Sequence, residues 1–418
     1  FIDEFSWQYE DEFDYERNSK VGKSGLEKKY EERLRGKIGY NILQVDAKGR
    51  NLGFFENSVA DTVRNGEDLI LTIDNDFQQY CRTLFKKGQK GALIVMDIKT
   101  GGILSYEGYP EFDPNIFTGK LSKEDWDILN NNPDKPMFDR CVMGTYPPGS
   151  VFKPVIGTMI LRTGKIDPYK DKFNCSGGLQ VGNRFFKCWL GSGHGNVNLH
   201  TALQYSCDTY FYEVIKDYDL EDIADYTESN FLTVASGVDI SSEQPGFFPS
   251  DYSHDKSGRN TSLGDLINLS IGQGAILVTP LQMCAYYNAL GNKGIWIQPH
   301  FLYESLSESD HARLFVPEEK RLPASEKDIV IINKSLYAVV NSEKGTGRRA
   351  KLKGIDVWGK SGSAENHSGD THAWFCGFAG KNMKPEISFT VFVENGGGGG
   401  KTAAPIAKKL IEFYFDNK

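Results

Sequence analysis

Three short runs of this chain carry side chains that could move protons and acyl groups. The first is YPPGSVFKP at 146–154. Pro147, Pro148 and Gly149 end a loop and an apolar segment follows. Ser150 therefore falls in the first turn of a helix, with Lys153 three residues on and on the same face. A serine hydroxyl is a weak nucleophile by itself. A desolvated lysine beside it can lose its proton near neutral pH and serve as general base. The helix start adds backbone N–H groups that favour developing negative charge. The same spacing also describes a serine that merely caps a helix and a lysine on a wet surface.

The second run is QYSCDTYFYEV at 204–214, where Ser206 and Asp208 flank Cys207 in a polar break between apolar stretches. A second serine and a polar acceptor can pass a proton to a leaving group; an N-cap is the plainer alternative. The third run is WGKSGSAE at 358–365, in a strand pattern. Lys360 offers positive charge to a substrate carboxylate, and Gly362 lets a substrate backbone approach closely.

Each run is weak alone. Ser-x-x-Lys, then Ser-x-Asp, then Lys-Ser-Gly on a late strand match in order and spacing the set of penicillin-binding proteins and β-lactamases. LTIDNDFQ, SIGQGAILVTPLQM and THAWFCGFAG resemble framework segments of class B penicillin-binding transpeptidases. GKSGLEKKYEERLRG resembles the pedestal segment that precedes that domain. In most of the superfamily the second motif ends in Asn and the third reads Lys-Thr-Gly. Asp208 and Ser361 depart from that pattern, as is usual in the elongation-specific penicillin-binding protein 2 branch. The N-terminal half of the pedestal and a membrane anchor are missing, which points to a truncated chain.

The resemblance implies a peptidoglycan D,D-transpeptidase. Ser150 attacks the penultimate D-alanine carbonyl of a stem peptide and Lys153 takes its proton. Ser206 and Asp208 pass the proton on. Lys360 and Ser361 hold the substrate carboxylate, within a binding segment of Ser361, Gly362 and Ser363. The N–H groups of Ser150 and Ser363 form the oxyanion hole. β-Lactams acylate Ser150 in the same way. The implied partner is a membrane glycosyltransferase of the elongation complex, and the implied location is the periplasmic face of the bacterial inner membrane. A D,D-carboxypeptidase or β-lactamase of the same fold differs in whether water attacks the acyl-enzyme. Glu213, Glu221, Glu228 and Glu243 are the candidates to activate it. A β-lactam sensor or scaffold without turnover is a third reading.

Cys175, Cys188, His194 and Cys207 lie in or beside an insert between the first two motifs. Three thiols and an imidazole suit a closed tetrahedral zinc site. A Cys175–Cys188 disulfide and unlinked thiols are the alternatives. If Ser206 and Asp208 face the cleft, Cys207 between them points into the helical lobe. Some members of the penicillin-binding protein 2 branch carry zinc in this segment, and such zinc would be structural. His372 and Trp374 are candidates to line the cleft beside Lys360, with a core position the alternative for Trp374. Cys81, Cys141, Cys284 and Cys376 sit in apolar contexts and read as buried thiols.

These motifs need a scaffold. The 418 residues are 39% hydrophobic and 25% charged, a globular balance with room for two or three domains. A net charge of −8 argues against a nucleic-acid partner. There is no apolar run of the roughly 18 residues needed to cross a membrane. Residues 1–68 read as a partial pedestal and 69–418 as the transpeptidase domain. A short polar helix starts near Ser24, with Glu27 at capping-box spacing. A strand and a helix capped by Asp74 or Asn75 follow, then a hairpin turning at residues 99–102. Residues 111–148 are polar loop with short helices, and 150–295 are mostly helical. Three late strands, a flexible Gly396–Gly400 loop and an amphipathic helix close the chain. The order fits an α+β fold, an antiparallel sheet flanked by helices with a helical lobe inserted.

Overall fold

The computed structural model describes residues 20–40, 42–54, 63–119, 121–249, 262–306, 312–366 and 369–418. The most N-terminal part of the expected pedestal, residues 1–19, lies outside them. The chain divides into two compact units.

The first unit draws on Phe1–Thr72, Asp239–Ser242 and Phe301–Val316. The strand Asp68–Leu71 pairs antiparallel with Leu302–Leu306, which also pairs with Arg313–Leu314. That strand therefore belongs to the first unit, although the sequence reading opens the main domain at Leu69. Asp239 ties the unit together: its carboxylate accepts from Tyr30 Oη at 2.7 Å and from the N–H groups of Phe301 and Leu302 at 2.7 and 2.8 Å. The polar helix near Ser24 is two short pieces, Gly25–Lys29 and Glu31–Leu34, broken at buried Tyr30. The expected capping box does not form, because Ser24 makes no side-chain cap bond. The Gly22 N–H instead reaches the Glu31 carboxylate at 2.7 Å.

The second unit holds the site. Its elements, in chain order, are β1 (Gly91–Asp97), β2 (Ile103–Tyr109), α1 (Lys153–Thr163), α2 (Leu199–Tyr205), α3 (Asp208–Val214), α4 (Pro280–Gly291), α5 (Glu326–Asn341), β3 (Asp356–Ala364), β4 (His372–Lys381), β5 (Lys384–Val393) and α6 (Gly399–Asp416). The strands form one antiparallel sheet in the order β3-β4-β5-β1-β2. β1 is buried at every position but the last, which explains its unbroken apolar run: helices cover both faces. On one face Leu93, Val95, Phe375, Phe389 and Val391 pack with Ala403, Ala407, Leu410 and Ile411 of α6. On the other, α4 packs on β1, β4 and β5. A preceding helix, Asn75–Arg82, is capped by Asp74, whose carboxylate accepts from the Phe77 N–H at 3.0 Å.

The helical lobe contains α1, α2, α3, Leu220–Ser229 and Leu263–Ser270. The insert between the first two motifs is folded as two small ladders, Phe173–Cys175 with Gly195–Val197 and Gly178–Val181 with Arg184–Lys187. α5 packs on α1, α2 and β3. The fold is thus the α+β class read from the sequence.

Candidate active site

Residues Gly149–Phe152 form a single 3₁₀ turn that runs directly into α1 at Lys153. Pro154 in the first turn of α1 costs no hydrogen bond there, because that N–H has no helical acceptor. The turn is fixed from three sides. Trp374 Nε1 donates to Pro147 O at 3.0 Å, Gly149 N–H to Gly272 O at 2.8 Å and Tyr287 Oη to Val151 O at 3.0 Å. β3 presses against it closely enough that a Cβ on Gly362 would lie 3.0 Å from Pro148 O and 3.1 Å from Val151 Cγ1. Gly149, Val151 and Phe152 are buried, and Ser150 is the residue left partly exposed.

Both motif lysines are fully buried and converge on one hydroxyl. Lys153 Nζ lies 3.2 Å and Lys360 Nζ 2.8 Å from Ser206 Oγ. Lys153 also donates to Ser206 O at 2.9 Å and forms a 2.6 Å ion pair with Asp208 Oδ1. Lys360 also donates to Ser361 O at 3.0 Å. Ser206 Oγ thus accepts from both ammonium groups, which leaves its own hydrogen to be donated elsewhere.

Ser206 is not an N-cap. It is the C-cap of α2, with φ 55° in the left-handed region. A non-glycine residue in that region is strained, and here the two lysines and the next helix over-determine it. Asp208 opens α3, where the helix dipole favours its charge. Its second oxygen accepts from the Trp189 N–H at 2.9 Å.

Burial, with the positive charge of Lys153 added, pushes Lys360 well below the usual lysine value, and Asp208 opposes the shift. Two ammonium groups sharing one buried hydroxyl repel, so this surrounding favours the neutral form of Lys360.

The outer end of β3 is lined by hydroxyls. Ser361 Oγ donates to Thr346 Oγ1 at 3.0 Å, and the Gly399 N–H at the start of α6 donates to Ser363 Oγ at 3.2 Å. Gln273 Nε2 reaches Ser363 O at 3.5 Å. The Gly396–Gly400 stretch is therefore not wholly loop. Gly398 is the N-cap of α6, and Gly399 and Gly400 are its first residues. A Cβ on Gly399 would collide with the carbonyl oxygens of Gly362 and Trp374. Those glycines serve close packing.

Cys175, Cys188, His194 and Cys207 converge, with their ligand atoms all within 4.8 Å of one another. His194 Nδ1 lies 3.6 Å from Cys175 Sγ and 3.5 Å from Cys188 Sγ. A tetrahedral zinc centre with bonds of about 2.3 Å to sulfur and about 2.0 Å to nitrogen has S···N edges of about 3.5 Å, so the four side chains fit such an ion. All seven cysteines are unpaired, including Cys175 and Cys188, so the alternative disulfide is not formed. Cys188 is held far below the usual thiol range, chiefly by its hydrogen bond with Cys207, and that bond raises Cys207. Cys81, Cys141, Cys284 and Cys376 are buried free thiols, as the sequence implies.

Trp374 is fully buried and acts as a brace under Pro147, not as a wall of the cleft. His372 is buried as well, and its Nδ1 accepts from the Asn395 N–H at 3.1 Å. Burial holds it below the usual histidine value. The four glutamates considered as water activators are not gathered at the site. Glu213 pairs with Lys216 at 2.6 Å, Glu221 and Glu228 are exposed, and Glu243 accepts from the N–H groups of Ser236 and Gly237. Sequence reasoning missed Trp189 and Thr346. Trp189 was marked only by its place beside Cys188. Thr346 was marked only by the glycines on either side of it.

A buried lysine pair thus meets one serine hydroxyl, and Ser150 stands partly exposed in the turn that leads into the helix carrying Lys153. Two family models match the chain: the penicillin binding protein transpeptidase domain over residues 91–412 and the penicillin-binding protein dimerisation domain over residues 3–71. The chain belongs to the penicillin-binding protein transpeptidase family. It is similar to the peptidoglycan D,D-transpeptidase MrdA of Haemophilus influenzae, 30% identical over 98% of this chain and 65% of the relative. It is also similar to the MrdA of Acinetobacter baumannii, 31% identical over 96% of this chain and 61% of the relative. The chain thus spans less than two thirds of these relatives. A solved complex of the Helicobacter pylori penicillin-binding protein PBP2 with MreC has a TM-score of 0.83 at 29% identity, covering 94% of this chain and 73% of that one. Pseudomonas aeruginosa PBP2 in complex with WCK 5153 has a TM-score of 0.80 at 28% identity, covering 94% and 82%. The branch read from Asp208 and Ser361 is the one these neighbours carry in their names. Among the described residues no helix is long and apolar enough to cross a membrane.

Proposed function

We propose that this chain is the catalytic part of a peptidoglycan D,D-transpeptidase that works through a serine acyl-enzyme. The observation that carries the reading is the meeting of all three motifs at Ser206 Oγ, with Lys153 and Lys360 both within 3.2 Å. With the positive charge moved to Lys360 through Ser206, Lys153 can take the proton of Ser150. Ser150 Oγ then attacks the penultimate D-alanine carbonyl of a stem peptide. The N–H groups of Ser150 and Ser363 receive the oxyanion. When the tetrahedral species collapses, the peptide C–N bond breaks. The lysine pair returns the proton through Ser206 to the amine of the departing D-alanine. An amine of a neighbouring stem then attacks the ester, which gives a cross-link and frees Ser150. A β-lactam acylates the same serine, and its ring-opened product stays attached.

In this reading the domain works on the periplasmic face of the inner membrane with a membrane glycosyltransferase as partner. Cys175, Cys188, His194 and Cys207 would hold a structural zinc, which would fix the loop that presents Ser206 and Asp208. Four protein ligands would leave such an ion no position open to substrate. Metal analysis of the purified chain should find stoichiometric zinc that is lost in Cys188→Ser; a metal-free, folded chain would sink this assignment.

The function is tested by labelling with a fluorescent penicillin and chasing with unlabelled drug. Slow loss of label that depends on Ser150 is expected. Rapid loss would make the chain a hydrolase. Failure of the folded protein to label would make it a scaffold.

A further inference from the structure

The turn that carries Ser150 is gripped on its N-terminal side by a network outside the three motifs. Tyr146 precedes it, separated from Ser150 by Pro147, Pro148 and Gly149. The Tyr146 backbone is pinned in an isolated antiparallel bridge: its N–H donates to Val278 O at 2.9 Å, and its carbonyl accepts from the Val278 N–H at 3.0 Å. Its ring is enclosed. Phe392 of β5 lies 4.2 Å away between ring centroids, and His372 of β4 meets it edge-on at 5.6 Å. A Cβ on Gly144 would collide with the same ring.

The Tyr146 hydroxyl finds its partner at the end of the sheet. It donates to Glu394 Oε1 at 2.9 Å. Burial, with the Glu394 charge beside it, pushes this hydroxyl well above the usual tyrosine value, so it keeps the hydrogen it donates. The same carboxylate oxygen accepts from Arg140 Nε at 2.9 Å. Arg140 is buried, and its other nitrogens donate to Asp134 O at 2.8 Å and Lys135 O at 3.1 Å. Glu394 directly follows β5, and its own N–H donates to Lys90 O at 2.7 Å. A buried arginine needs a counter-charge, which accounts for Glu394. It does not account for the tyrosine hydroxyl, because a phenylalanine would fill the same apolar enclosure. What the hydroxyl adds is a fixed distance between the approach to Ser150 and the end of β5.

We propose that Tyr146 is a positioning residue for acyl transfer: through its hydrogen bond to the Arg140–Glu394 pair it sets where the Ser150 turn sits against the sheet. The proposal rests on the transpeptidase reading and goes beyond the three motifs. The link from Tyr146 to Ser150 is stiff, since two prolines follow and each fixes its own φ. A small shift of Tyr146 is therefore passed on to Ser150, and acyl transfer is sensitive to the placement of the reacting atoms.

The test separates placement from stability. Acylation of the whole chain by benzylpenicillin is followed over a range of drug concentrations. This resolves the dissociation constant of the first complex from the rate constant of the bond-forming step. Tyr146→Phe should slow that step by about 10-fold, with the dissociation constant and the labelled fraction unchanged. Glu394→Gln keeps an oxygen for the tyrosine and should retain most of the rate. A merely structural hydroxyl would lower the thermal midpoint and the labelled fraction, while the molecules that stay folded would react at the wild-type rate. That outcome, or a Tyr146→Phe chain that behaves as wild type, would overturn the proposal. A wild-type chain that benzylpenicillin does not acylate would instead overturn the transpeptidase reading.

Discussion

Ser206 and Ser361 are both cleft serines exposed by 8% or less, yet their surroundings hold them in opposite ways. Ser206 sits at a strained break between two helices, tied down by charge: two buried lysines, a carboxylate and, just behind it, three thiols and an imidazole. Ser361 sits on an unstrained strand paired along nine residues with β4, tied down by the sheet and by glycines that let helices press close. The helical wall depends on electrostatic balance and the strand wall on packing. The two should therefore fail differently. Removing a charge should damage the first wall in stability and chemistry together, whereas adding a methyl group should damage the second in stability first.

The largest effect is expected at Asp208. Its carboxylate joins Lys153 to the Trp189 N–H, and so joins the start of α1 to the loop that carries Cys188. Asp208→Ala leaves Lys153 buried without its counter-charge, which should cost about 3–5 kcal/mol. A denaturant midpoint measures that loss, and labelling of Ser150 should fall with it. Asp208→Asn retains an oxygen for Lys153 and should lose much less. If Ala and Asn variants behave alike, charge is not what holds this wall.

Lys360 bridges the walls and comes next. Its folded pKa lies below its unfolded value, so between the two the unfolded chain binds more protons and stability rises with pH. The contribution is worst below the folded pKa and recovers toward the unfolded lysine value near about 10.4. Acylation should likewise have an acid limb where Lys360 gains its proton. Lys360→Arg cannot shed its charge. It should flatten that limb and slow acylation by about 10²- to 10⁴-fold, read from rate profiles across pH. An unchanged limb would remove Lys360 from the proton path.

The two walls also differ in how well a sequence announces them. The convergence of Lys153, Ser206 and Lys360 was legible because proton transfer demands particular side-chain types, and three such runs in order leave few other readings. The thiol cluster was legible in part, since strand and helix alternation sends Cys207 away from Ser206 and Asp208. The sheet followed from apolar runs long enough to be covered on both faces. The hydrogen bond between Ser361 and Thr346 was not legible, because it comes from where α5 ends relative to β3, and no local pattern encodes that. The capping box at Ser24 failed for a similar reason: Tyr30 is drawn to Asp239, far away in sequence, and the helix breaks there.

The glycine run at 396–400 is the sharpest case, because a flexible linker and a close-packed helix start have the same composition. They differ in their response to a single methyl group. Gly398 has an extended backbone, and a Cβ there would meet only Lys401 Cβ at 3.8 Å and Ser363 Oγ at 3.9 Å. Gly398→Ala should be neutral, or stabilising by about 0.4–1 kcal/mol through the unfolded chain. The next residue is jammed against the carbonyls of Gly362 and Trp374, so Gly399→Ala should destabilise by about 1–3 kcal/mol. Thermal midpoints of the two variants, measured side by side, should move apart. A linker would let them move together, and the strand wall would then need some support other than close contact with α6.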